Sequence, residues 1–315
     1  MSHKDIMGWG DVLLLIVLVA LLGFAGKFFY QEYYDISSLA ESYVADNSKS
    51  VEGLTQQSKQ FYPGMRFPEK NIGYEFADEC DDVRKENVRR AFEIIDEKSV
   101  LSFSEDSGSE KVYVLCSKIA PKAEDKDHFI AGEGGSTKIL NASKFYIIKE
   151  AQIALYRDEK CETPNIALHE ILHALGFDHN SNEESILYPI TSCNQEIDDD
   201  IINSINNIYN IRSLPDLAIM KIDLNKTGKY LNFEMVLGNQ GLQDYGKSVL
   251  KVYGDEEKIG KFDIDKIEIG HSKVFSVTNL RVSNDLKIVR FEVESDSSLN
   301  ELETGNNQAS ISLKG

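Results

Sequence analysis

Basic residues are in short supply in this 315-residue chain: 34 Lys and Arg stand against 52 Asp and Glu, a formal charge of −18 at pH 7. A surface of that sign repels nucleic acid and anionic lipid headgroups, so no nucleic-acid partner is expected. Internal repeats, glycine-rich phosphate loops and low-complexity blocks are all missing, which removes solenoid and nucleotide-cradling readings. The four cysteines, Cys80, Cys116, Cys161 and Cys193, are never close in sequence, which argues against a zinc-binding cysteine cluster. Two readings of them remain: disulfides in an oxidising compartment, with three connectivities open, or free buried thiols in a cytosolic protein. Histidine is also scarce, with six in all, yet three fall within eleven residues.

That stretch is His169-Glu170-Ile171-Leu172-His173-Ala174-Leu175-Gly176-Phe177-Asp178-His179. On a helix, residues four apart share a face, so His169 and His173 can offer imidazoles to one metal ion with Glu170 beside them. Thr163 is a good cap and Pro164 suits the first helical position, while Ile166, Leu168, Ile171, Leu172 and Leu175 anchor the other faces. Gly176 accepts the left-handed conformation that ends a helix, and the turn swings His179 round as a third ligand. Three neutral imidazoles leave one position of a tetrahedral Zn²⁺ open for water, whose pKa then falls to ~7. Glu170 takes the proton from that water as it attacks a peptide carbonyl and passes it to the leaving amine, while the metal polarises the carbonyl oxygen.

These residues resemble the metzincin metallopeptidases and, within them, the matrixins. The resemblance implies an α+β zincin domain with a mixed sheet, an active-site helix and a C-terminal helix, acting on protein or peptide substrates. Glu184-Ser185-Ile186-Leu187-Tyr188-Pro189 resembles the matrixin Met-turn, which ends in Met-Tyr-Pro; Leu187 stands at the methionine position, and no methionine lies between Met65 and Met220. The family's methionine packs beneath the metal without ligating it, so a leucine of similar volume is expected to cost under ~1.5 kcal/mol. By the same resemblance, Pro189-Ile190-Thr191 walls the specificity pocket. A bridge between Cys161 and Cys193 would clamp both edges of the zinc site, with Cys80 and Cys116 as the remaining pair. Matrixins are commonly kept latent by a propeptide cysteine, but no cysteine precedes Cys80, so thiolate latency is not expected. Many also hold a second, structural zinc through three more histidines; outside the motif this domain offers only His128, and His271 lies in the next one, so one catalytic zinc is expected. Calcium would fall to Asp125, Asp127 or Glu133, whose plain alternative is an acidic, solvated loop.

The rest of the domain follows the same pattern. Ile72, Tyr74 and Phe76 alternate as a strand, and Asp81 to Glu97 carries Val83, Val88, Ala91, Phe92 and Ile95 at helical spacing. Val112 to Leu115 and Lys144 to Tyr156 are β-prone, and Asp200 to Tyr209 sets Ile201, Ile205 and Ile208 on one helical face. The catalytic domain is placed at 61–212.

Beyond Arg212 the texture changes. Leu217 to Ile222, Leu231 to Leu237, Ser248 to Tyr253, Lys273 to Val277 and Leu286 to Val293 are short β-prone runs between turn residues, as in a separate all-β, Ig-like sandwich over 215–315. The ending Asn300-Glu301-Leu302-Glu303-Thr304-Gly305-Asn306-Asn307, followed by the alternation from Ala309 to Leu313, resembles the cell-adhesion-related (CARDB) sandwiches of prokaryotic surface proteins. That resemblance implies a spacer or a module for a cell-surface partner. Asn141-Ala142-Ser143 and Asn225-Lys226-Thr227 fit the glycosylation triplet.

At the other end, Val12 to Gly26 is uncharged and mostly large and apolar. With Phe28-Phe29-Tyr30 and a snorkelling Lys27 it approaches the ~20 residues that span a bilayer, so a transmembrane helix is expected within 1–30. The alternative is a cleaved signal peptide, with Gly23-Phe24-Ala25 as the cleavage site and a secreted product. Either way the catalytic domain lies outside the cytoplasm. Residues 31–60 form a polar stalk or linker, in which Tyr33, Ile36, Leu39, Tyr43 and Val44 have near-helical spacing.

The chain therefore reads as a single-pass, membrane-anchored, extracytoplasmic zinc endopeptidase. Its rival is a surface adhesion protein whose metzincin domain has lost turnover, with Leu187 as the one residue pointing that way. A metal hydrolase acting on a non-peptide bond is a third reading.

Overall fold

The computed structural model describes residues 41–44, 58–105, 111–122, 130–295 and 300–313. The apolar run Val12 to Gly26 lies outside them, as do Asp125, Asp127 and His128, and among the described residues no helix is long and apolar enough to cross a membrane. Residues of the expected stalk helix are corrected where they are described: β1 (Glu41–Val44) is a strand, paired antiparallel to a later one. A short isolated helix is marginal in water, whereas a sheet edge satisfies the backbone of even four residues.

The first unit is one mixed six-stranded sheet with helices packed on it. β2 (Met65–Arg66), β3 (Asn71–Phe76), β4 (Ser102–Glu105), β5 (Lys111–Cys116) and β7 (Tyr146–Leu155) run parallel in the order β2-β7-β5-β3-β4, and β6 (Gly132–Asn141) lies antiparallel against β7. α1 (Asp82–Lys98) starts where the Asp81 carboxylate accepts from the Arg84 N–H at 2.9 Å. It buries Val88, Ala91, Phe92 and Ile95 as expected, but Val83 faces solvent at 67% exposure and Arg84 is buried in its place. The stripe runs 84, 88, 91, 92 and 95; Val83 is one residue, about 100° of helix, off it. α2 (Asn165–Ala174) is buried along almost its whole length between sheet and α1, and α3 (Asp199–Asn210) closes the unit with Ile201, Ile205, Ile208 and Tyr209 inward. Buried Arg66 stacks on Tyr209 and donates to the carbonyls of Phe67, Pro68, Ile208 and Ile211, so its charge sits at the negative end of α3.

The second unit is a sandwich of two four-stranded sheets. It comprises β8 (Leu217–Thr227), β9 (Tyr230–Asn239), β10 (Ser248–Gly254), β11 (Glu257–Ile264), β12 (Ser272–Arg281), β13 (Ile288–Ser295) and β14 (Gln308–Ser312), in the orders β1-β8-β9-β12 and β11-β10-β13-β14. β8 is the partner of β1. Phe233 and Phe291 meet edge to face between the sheets, with centroids 5.0 Å apart.

The turn joining β6 to β7 docks on this sandwich. Ala142, Phe145 and Ile147 pack with Leu242 and Ile269, and the Lys144 ammonium donates to Asp216 at 2.7 Å and Glu303 at 2.6 Å. Asp216 is fully buried, so this ion pair and the apolar contacts around it form one joint between the units.

Candidate active site

The local structure around His169 follows from chain chemistry with one correction. Thr163 does not cap α2; Pro164 takes that position with no side-chain bond, and the Glu159 carboxylate accepts from the Ile166 N–H at 2.9 Å and the Cys161 N–H at 3.0 Å. An anion from an upstream loop thus meets the helix N-terminus, where its dipole favours negative charge. At the far end Gly176 has φ +97°, and a Cβ there would lie 2.9 Å from the Met65 side chain. Glycine is required both for the turn and for space. Beyond it, Gln60 bridges to Phe177 and the Phe61 N–H donates to Gly176 O at 3.0 Å, so the segment entering the domain straps the turn.

The turn brings three imidazoles together. His173 Nε2 is 3.0 Å from His169 Nε2, and His179 Nε2 is 3.2 Å from each. His169 Nδ1 lies 2.6 Å from Ile186 O and His173 Nδ1 2.7 Å from Phe177 O. A carbonyl can only accept, so both Nδ1 atoms carry the proton and both Nε2 atoms present bare lone pairs. Burial, and then the neighbouring His173, lowers the His169 pKa to about 3; burial likewise lowers His173 to about 4. Lone pairs this close repel unless a cation lies among them, and neutral imidazoles with their second nitrogen tied to a carbonyl are what zinc requires. The donor set fits the metal.

Glu170 is buried beside the triad, and burial first, then the charge of Glu133, pushes its carboxyl from 4.5 up to about 8. Strand β6 passes directly over it. A Cβ on Gly134 would lie 2.2 Å from the Glu170 carbonyl oxygen, and one on Gly132 2.7 Å from its side chain. Gly134→Val is therefore expected to cost about 1–3 kcal/mol or more by overpacking, read as a lowered Tm, and to disturb the carboxylate below it; an unchanged Tm would contradict this crossing.

Residues 66–210 match the family model for Matrixin, and residues 214–311 match that for CARDB. The first unit is a matrixin domain. The second is a CARDB domain, an adhesion-type module. No curated protein matches the chain. Among solved structures, a CARDB domain from Pyrococcus furiosus, crystallised with di-metal ions, is 17% identical over 32% of this chain and 87% of its own, with a TM-score of 0.27. High choriolytic enzyme 1, a hatching-enzyme zinc-protease of the medaka Oryzias latipes, is 14% identical over 46% of this chain and 92% of its own, with a TM-score of 0.32. Likeness at those scores adds nothing to the family matches. A matrixin domain implies a metzincin-type zinc peptidase with peptide substrates.

The floor and walls of the matrixin domain's site are well defined. Leu187 is fully buried and Tyr188 half-buried in the turn after the triad, where Asn180 N–H donates to Leu187 O and Ser185 Oγ donates to Asp198. Pro189, Ile190 and Thr191 line a cleft of about 540 Å³ that also touches all three histidines, Glu170, Phe61 and β6 from Gly132 to Gly134. Disulfides join Cys161 to Cys193 and Cys80 to Cys116; the first ties the entry to α2 to the loop behind that wall. Gln195 holds the same loop through Glu183 O and Ile190 O. Sequence reasoning missed the contributions of Phe61, Glu159 and β6. Only the Gly132-Glu133-Gly134-Gly135 run carried a signal, since glycines in a strand mark a close backbone approach.

Proposed function

We propose that this protein is an extracytoplasmic zinc endopeptidase in which His169, His173 and His179 hold the metal and Glu170 moves the proton. The observation that carries the reading is the convergence of three histidine Nε2 atoms, those of His169 and His173 unprotonated, beside one buried carboxyl. Zinc, when bound, supplies a Lewis acid for a peptide carbonyl and acidifies water. Glu170, its carboxyl buried beside the triad, can accept a proton, hold it at a carboxylate oxygen and release it to a leaving amine. Among the described residues β6 pairs only with β7, so its outer edge offers backbone groups to an extended peptide lying in the cleft. The apolar walls at Phe61, Pro189 and Ile190 then exclude water from the bond being cut.

Two disulfides support a site of action outside the cytoplasm. The uncharged run Val12 to Gly26 supports a membrane anchor there, or a signal peptide with release of the enzyme. The CARDB domain then offers a module for a cell-surface partner.

The test is digestion of an unstructured protein by the purified enzyme with and without o-phenanthroline, the cuts being mapped by mass spectrometry. Cutting abolished by the chelator and restored by zinc is expected. No cutting at one bound zinc per chain would overturn the reading in favour of an inactive adhesion protein.

A further inference from the structure

We propose that Glu133 selects peptides with a lysine or arginine next to the scissile bond, its carboxylate receiving that side chain on the β6 side of the cleft. The inference rests on the peptidase reading above. Glu133 lies on β6 between the two glycines that cross Glu170, exposed at the cleft mouth. Among the described residues that line the cleft, only Glu133 and Glu170 are carboxylates, and none is a lysine or arginine. Glu170 is buried at the base. The rim charge available to a substrate side chain is therefore that of Glu133.

Among the described residues the carboxylate is also held in place without a cationic partner. Tyr156 Oη donates to Glu133 Oε2 at 2.6 Å, and the Tyr156 N–H donates to Ala131 O at 2.9 Å, so the end of β7 fixes the phenol beneath the carboxylate. Other carboxylates of this sheet have cationic partners: Glu75 pairs with Lys111, Glu105 with Arg89 and Glu150 with Lys138. Among the described residues, Glu133 has a neutral phenol instead. A phenol orients an anion and leaves its charge intact, whereas an ammonium would cancel it. An incoming guanidinium or ammonium thus meets an oriented acceptor between apolar walls, where a charge-assisted bond is stronger than on open surface.

The experiment uses matched peptides in which one position at a time, on either side of the cut, is lysine, arginine, glutamate or the neutral glutamine, and reads the ratio of kcat/KM for each charged peptide over the neutral one. The wild type is expected to favour the basic peptide at one position by roughly tenfold, the worth of one charge-assisted hydrogen bond. Glu133→Gln should bring that ratio close to one, and Glu133→Lys should invert it in favour of a glutamate peptide. Tyr156→Phe should lower the ratio without abolishing it. If Glu133 acted only through the acidity of Glu170 or through folding, both peptides would slow together and the ratio would stay, which would overturn the proposal. Wild-type cleavage with a ratio near one at every position overturns it too, leaving the peptidase reading intact; absence of any chelator-sensitive cleavage overturns both.

Discussion

Glu170→Gln is expected to keep one zinc per chain and to lower peptide hydrolysis by roughly 10² to 10⁴, the usual worth of a positioned general acid–base. The donor set explains the first half: the three atoms that converge are histidine nitrogens, and Glu170 is not among them. The second half follows from chemistry at the carboxylate oxygen, since an amide of the same shape cannot take up a proton at neutral pH. Zinc content by elemental analysis, beside kcat on one peptide, decides the matter; retention of more than a tenth of wild-type turnover would remove Glu170 from the proposed role. A second readout uses the metal-free protein. With its carboxyl raised by burial from 4.5 to about 8, the folded state binds more protons than the unfolded state across that window, so this group's contribution to stability is lost as pH rises through it. Glutamine does not ionise. Metal-free Glu170→Gln is therefore expected to be more stable than metal-free wild type at about pH 9, and to lose that advantage near pH 4.

Paired replacement of Cys161 and Cys193 by serine is the other large effect. The bridge closes a loop of sequence separation 32, and releasing such a loop in the unfolded chain costs about 3–4 kcal/mol of stability on the chain-entropy account. The Cys80–Cys116 bridge, with a separation of 36, should cost about the same on that account. The two differ in what they hold. Cys80 and Cys116 join the start of α1 to the end of β5, away from the cleft, whereas Cys193 anchors the loop that follows the wall at Pro189, Ile190 and Thr191. Both double variants should melt at lower temperature, but only the Cys161/Cys193 pair should raise KM as well. Equal KM in the two variants would show that the wall does not depend on its bridge.

The parts of this molecule legible in its sequence are those fixed by spacing. The interval between His169 and His173, the glycine at 176 and the stripe Val88, Ala91, Phe92 and Ile95 each specify a face or a turn with little dependence on distant residues. What escaped depends on distant ones. Glu159 was hidden as the cap of α2 because a carboxylate seven residues away displaced the expected Thr163. β6 was hidden because glycine weakens strand propensity, and its glycines exist for the sake of Glu170, a residue on another element. Val83 was misread by a single residue of helical phase. Arg66, a charged side chain, is buried only because four carbonyls from two distant parts of the chain converge on it. The CARDB strands were visible as β-prone runs, but the hairpin strand β11, with Glu257, Lys258, Gly260 and Lys261, carries too little apolar character to announce itself.

The position of β1 has a mechanical meaning. Residues 41–44 precede the matrixin domain in the chain, yet they are hydrogen-bonded into the CARDB domain that follows it, with Glu41 opposite Leu224 and Val44 opposite Lys221. A pull on the chain from upstream of Glu41 is thus loaded first onto the β1–β8 ladder. Tension reaches Lys59, Gln60 and Phe61, which strap the turn carrying His179, only after those four residues have been peeled from the sandwich. The adhesion-type domain serves as the strain relief of the metal site, whatever holds the other end of the chain.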